Sequence, residues 1–145
     1  MTVCVLDGRG GGMGAAMAER LRGLPGSCSL LCLGTNPFAA QRMAEVSGGI
    51  AVYEPGEVLA ALADADILLG TAGILNAGAL KGELSAEVAA AVARSSAKKY
   101  ILPMNRCGLY VAGVADRPAA ELIAELCDAV RAEIMAAHKR GIAEV

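Results

Sequence analysis

Apolar and polar positions follow one another in short blocks along this chain. Val3-Cys4-Val5-Leu6 is a continuous apolar run, the pattern of a strand buried on both faces. Glycines follow, then a helical stretch from about Met13 to Arg22, stopped by Gly23, Pro25 and Gly26. Ser29 to Leu33 is a second buried run. Asn36-Pro37 then supplies an N-cap and a first-turn proline for a helix ending near Gly48-Gly49. Ile50 to Tyr53 predicts a weak third strand, Glu57 to Ala63 a short helix, and Ile67-Leu68-Leu69 a fourth strand. Ser85 caps a helix to about Arg94, Tyr100-Ile101-Leu102 is a fifth strand, and Leu109 to Val114 reads as a sixth. In the last helix Pro118 stands at the start. Leu122, Leu126, Val130 and Ile134 recur every fourth residue, and Lys139-Arg140-Gly141 closes it.

Alternating strands and helices imply a parallel sheet with helices on both faces. Right-handed crossovers then favour a doubly wound, Rossmann-like α/β sheet, order 3-2-1-4-5 with a possible sixth strand at the edge. A single such domain accounts for residues 1–145. The sixth run would be an edge strand needing a partner, so a two-fold homodimer is expected.

Composition narrows the classes. Hydrophobic residues make up 55% and charged residues 19%, too apolar for a disordered chain. Aromatics are only 3%, so Val, Ile, Leu, Met and Ala build the core. A net charge of −2 and no basic face argue against nucleic acid as a partner. Mean hydropathy is +0.49, yet the uncharged run Ile67 to Leu80 is only fourteen residues and is broken by glycines. A spanning helix needs roughly 20 apolar residues, so no membrane partner is expected. The first residues carry neither a basic nor an extended apolar leader, which points to a cytoplasmic protein. Five cysteines follow no metal-ligand spacing and one His stands alone, so no metal is expected.

The chemistry concentrates in Asp7-Gly8-Arg9-Gly10-Gly11-Gly12-Met13-Gly14, directly after the first strand and opening the first helix. Gly8, Gly12 and Gly14 fit G-x-x-x-G-x-G; Gly10, Gly12 and Ala15 fit G-x-G-x-x-A. Such a loop presents bare N–H groups at a helix N-terminus, where an anion is favoured and no Cβ blocks a pyrophosphate. The alternative is a turn that only packs strand against helix. An NAD fold places Asp or Glu at the end of the second strand for the ribose hydroxyls. Here Gly34-Thr35-Asn36 stands there, and Arg9 and Arg42 are available for a 2′-phosphate, so NADP is expected ahead of NAD. Asn36 could equally be a helix cap only.

Gly70-Thr71-Ala72-Gly73 ends the fourth strand in small residues that let a ligand cross the sheet edge. The connection from Thr71 to Leu84 is long and carries Asn76, Lys81 and Glu83 among glycines, as a binding loop does; it has room for a short helix. After the fifth strand come Asn105, Arg106 and Cys107, candidates for an anionic or amide-bearing ligand. Cys107 is a reactive thiol if Arg106 lowers its pKa, and otherwise a packing residue. Cys4, Cys32 and Cys127 fall on core positions and are expected to be inert. No Tyr is followed four residues later by Lys, no P-loop pattern occurs and no hydrolase elbow occurs. A nucleotide-binding or sensing subunit is therefore favoured. The alternative is a small NAD(P)-dependent oxidoreductase with its substrate between Asn76, Asn105 and Arg106.

The glycine block, Leu33-Gly34-Thr35-Asn36, Leu80-Lys81-Gly82-Glu83-Leu84, and Ala97-Lys98-Lys99 through Ile101-Leu102-Pro103 to Asn105-Arg106-Cys107 together carry a resemblance. Over most of its length the chain resembles the short bacterial proteins catalogued as a domain of unknown function, number three thousand eight hundred and forty-two. That resemblance implies a compact nucleotide-binding-like α/β domain and no established reaction. Arg9 stands where the family is expected to carry Gln, and Thr71-Ala72-Gly73-Ile74 where it is expected to carry a proline-containing turn.

Overall fold

β1 (Thr2–Asp7) is the central strand of the sheet because its side chains bury on both faces, as its unbroken apolar run requires. In this computed structural model, which describes residues 1–103 and 109–143, β1 pairs in parallel with β2 (Ser29–Gly34) and β4 (Ile67–Thr71). β2 pairs with the short β3 (Ile50–Val52), and β4 with β5 (Lys98–Leu102). The order is β3-β2-β1-β4-β5, all parallel, the doubly wound arrangement expected from the alternation.

Strand periodicity splits the core into two layers. Val3 and Val5 of β1 and Ile67 and Leu69 of β4 point to one face. There they meet α1 (Gly12–Glu19), Met43 of α2 (Pro37–Ser47), and Ile123, Cys127, Val130 and Ile134 of α5 (Ala119–Ala143). Cys4, Leu6 and Leu68 point to the other, against Val58 and Leu62 of α3 (Pro55–Asp64) and Ala89 and Val92 of α4 (Ala86–Arg94). Each fully buried Leu, Ile or Val contributes about 1.5–3 kcal/mol relative to exposure.

The helix signals act as their chemistry dictates. Asn36 Oδ1 accepts from Ala39 N at 2.8 Å, and Ser85 Oγ accepts from Val88 N at 3.1 Å, capping α2 and α4. Gly48, at φ 75°, ends α2 in the left-handed region. α1 stops at Glu19, earlier than its apolar pattern suggests, and passes through turns to Gly23 at φ 70°. Gly141 does not close α5, which continues to Ala143.

The expected sixth strand is not formed. Leu109 to Val114 is irregular, with a Val114 N–H to Val111 carbonyl turn and Gly113 at φ 85°. Tyr110 is 82% exposed. Its apolar side chains bury too little surface to hold a strand on the sheet edge. The reason for expecting a two-fold dimer, a sixth-strand edge in need of cover, goes with it. Among the described residues no helix is long and apolar enough to cross a membrane.

Candidate functional site

In a doubly wound sheet the crevice opens where neighbouring strands send their connections to opposite faces, here between the carboxyl ends of β1 and β4. A cleft of about 740 Å³ lies there. Gly8, Arg9, Gly10, Gly11, Gly12 and Met13 line one wall, and Thr71, Ala72, Gly73 and Asn76 another. Asp7, residues 77–81 and Leu109 complete it. The fold thus brings together most of the residues singled out by their pattern. The short helix expected after β4 is a 3₁₀ turn, Ala72–Leu75.

The glycines divide by role. Gly11 takes φ 69°, and a Cβ there would lie 3.0 Å from the Ala39 backbone, so only glycine fits against α2. A Cβ on Gly12 would meet nothing nearer than Arg42 Nη1 at 3.7 Å, an ordinary contact, so this position has room for a side chain. Gly10 is equally open. Gly14 and Gly70 are absent from the cleft lining. A Cβ on Gly14 would come within 2.5 Å of Met43 Sδ, and one on Gly70 within 2.7 Å of Ile74 Cδ1, so both serve packing.

Asp7, which sequence reasoning leaves unassigned, holds the loop from beneath. It is 6% exposed. Its Oδ1 accepts from Gly8 N at 2.8 Å and its Oδ2 from Gly14 N at 2.7 Å. Burial raises its carboxyl above the ordinary value of 3.8, with Glu83 adding to the rise, while the two N–H donors and Arg42 work against it. The signal in the sequence is a lone acid ending an otherwise apolar strand. Two of the loop's amides are therefore taken. Gly11 N donates to Gly8 O. The N–H groups of Gly10, Gly12 and Met13 have no acceptor among the described residues, and these three line the cleft.

A second knot ties the other flank. Arg9 takes φ 51°, its N–H donating to Glu83 Oε2 and its carbonyl accepting from Asn36 Nδ2 at 3.0 Å. The same Nδ2 donates to Glu83 Oε1 at 2.8 Å. Asn36 is thus cap and clasp at once, which leaves it no spare donor. Arg42 Nη1 donates to Gly10 O at 2.9 Å, so this cation steadies the loop. Thr35 is bonded through its backbone to Asp7 O, while its buried hydroxyl oxygen has no partner among the described residues.

Glu83 arrives on a loop that is itself built. Gly78 N donates to Leu84 O and Leu84 N to Ala79 O, closing residues 78–84 on themselves. Leu80 and Lys81 take φ 57° and 54°. Lys81 lines the cleft and is exposed. Asn76 lines it too, with its Nδ2 donated to Ala72 O at 3.1 Å. Lys81 and Glu83 stand out in the sequence as the loop's charges, but nothing in their spacing tells where they land.

Asn105, Arg106 and Cys107 lie outside the described residues; β5, which precedes them, ends at Leu102 on the cleft's edge of the sheet. Cys4 and Cys127 are buried, their thiols pushed up to about 12 and about 11 by desolvation. Burial raises the Cys32 thiol as well. These three are inert packing groups, as their positions implied. Among the described residues no group of His, Cys, Asp and Glu could hold a metal ion.

A family model described as Domain of unknown function (DUF3842) matches residues 2–135. The chain belongs to this family. The match takes in the glycine loop, the clasp on Asn36 and the loop that carries Glu83, so all the site geometry lies inside the family's span. No curated protein and no solved structure matches the chain.

Proposed function

We propose that this member of the family binds a phosphate-bearing nucleotide in the cleft between β1 and β4, as a binding or sensing subunit. The observation that carries it is the set of unpartnered N–H groups at Gly10, Gly12 and Met13 in that cleft. Donors at a helix N-terminus, with no Cβ in front of them, suit a phosphate. The exposed cations Arg9 and Lys81 stand at the same cleft. A volume of about 740 Å³ falls within the range of nucleotide-sized sites. A nicotinamide dinucleotide, NADP(H) or NAD(H), is the first ligand to test. The sequence favours NADP because β2 ends without a carboxylate; Glu83 brings one there from another loop. A recognisable acid–base pair among the described cleft residues is lacking, which supports binding over catalysis.

Gly12→Val tests the reading. Its Cβ meets only Arg42 Nη1, at an ordinary contact distance of 3.7 Å, so the fold has room for it while the added bulk crowds the free N–H groups of Gly12 and Met13. The expected outcome in isothermal titration calorimetry is loss of nucleotide binding by at least a hundredfold, with melting temperature nearly unchanged. Gly14→Ala is the contrast: its methyl strikes Met43 and Asp7, and overpacking costs about 1–3 kcal/mol of stability. Wild-type protein that binds none of NADP, NAD, FMN and ATP below millimolar refutes the proposal.

A further inference from the structure

Resting on that nucleotide reading, we propose that Glu83 is the residue that decides which ribose the site accepts, and that it selects NAD(H) over NADP(H). In a doubly wound dinucleotide fold a carboxylate at the end of the second strand receives the ribose hydroxyls. The stretch that ends β2 here, Gly34-Thr35-Asn36, has none. The fold supplies it from the far side. Glu83, from the loop after β4, crosses the glycine loop to Asn36, the residue that caps α2 directly beyond β2.

Its geometry is that of a prepared acceptor. One carboxylate oxygen is held by Asn36 Nδ2 and the other by Arg9 N–H, so the plane of the group is fixed by two donors from different segments. A carboxylate offers about four acceptor sites, and two of them are taken. Glu83 is exposed and stands just outside the residues that line the cleft, so its remaining sites are open to solvent and to a ligand group that reaches past Arg9. The loop behind it is closed by the Gly78–Leu84 and Leu84–Ala79 hydrogen bonds, which fix the backbone that carries the side chain. A ribose diol donates into such a group. A 2′-phosphate places like charge beside it and gains no hydrogen bond. Of the two cations that could welcome a 2′-phosphate, Arg42 is tied to the loop by Nη1 donating to Gly10 O, and Arg9 stands exposed at the cleft.

The competing account is that Glu83 only latches the loop, as an internal anion sitting on the Arg9 amide. It predicts that removing the charge tightens every phosphate ligand alike.

Calorimetric titration of the full chain and of Glu83→Gln with NAD, NADP and inorganic pyrophosphate separates the accounts. The expected result is that wild type binds NAD about tenfold more tightly than NADP, that Glu83→Gln brings the two within about twofold, and that pyrophosphate is unmoved. Equal affinities or a preference for NADP in wild type overturn the assignment, as does a parallel gain for all three ligands in the variant. Binding of pyrophosphate but of neither dinucleotide overturns it too, while leaving the phosphate-loop reading intact. Failure to bind any of the three removes both. If the variant's loop does not fold, equal affinities or a preference for NADP in wild type still overturn the assignment.

Discussion

At the residue scale, Asp7 sets the character of the site. A phosphate-binding loop is usefully imagined as a ring of free amides, yet this chain spends two of them on its own carboxylate. Burying that carboxylate works the other way. Because burial raises the folded-state pKa above 3.8 despite the two amides, the folded protein holds the Asp7 proton more tightly than the unfolded chain does. Its contribution to stability is fully present below the unfolded value and is lost as pH rises through the raised one. Each tenfold tightening of the folded protein's hold on that proton is worth about 1.4 kcal/mol. Chemical denaturation across that acidic window should therefore show wild type losing stability with rising pH relative to Asp7→Asn, which lacks the titrating group. A difference between the two that is flat with pH would mean that the Gly8 and Gly14 amides fully offset the burial.

At the scale of elements, the strands and caps are legible because each follows from a short-range rule. The apolar run of β1, the Asn36-Pro37 start of α2 and the Ser85 start of α4 need no knowledge of the rest of the chain. The expectations fail where tertiary context decides. Leu109 to Val114 has the apolar content of a strand, but Leu109, Tyr110 and Val111 stay exposed. The sorting of glycines is equally hidden. Gly12 and Gly14 stand two apart in one motif, yet a Cβ has room at the first and strikes a packed Met43 at the second. Asn36 is the sharpest case, since the cap is readable and the clasp to Glu83, forty-seven positions away, is not. Asn36→Ala removes both. Loss of an N-cap costs about 1 kcal/mol, and the exposed clasp adds less than that, so urea unfolding should show a loss of about 1–2 kcal/mol. A loss well under half a kcal/mol would mean that neither contact contributes measurably.

Over the whole molecule, alternation and handedness narrow the strand order to a few doubly wound arrangements, and the order found places the glycine loop and Thr71-Ala72-Gly73 at one crevice. What the order leaves open is how the long connection after β4 lies over the sheet. Here it folds on itself and reaches back across β1 to the end of β2, so that stretches around residues 9, 36 and 83 meet at one point. That meeting gives the molecule a built-in reporter. Arg9 is exposed, and the N–H of such a residue ordinarily trades its proton with solvent quickly; bonded to Glu83, it does so only when the clasp opens. Deuterium uptake at this one amide therefore counts clasp openings. A ligand that merely adds its hydroxyls to Glu83 should slow the uptake further, whereas one that displaces the carboxylate should accelerate it, so the direction of change tells an occupied clasp from a broken one.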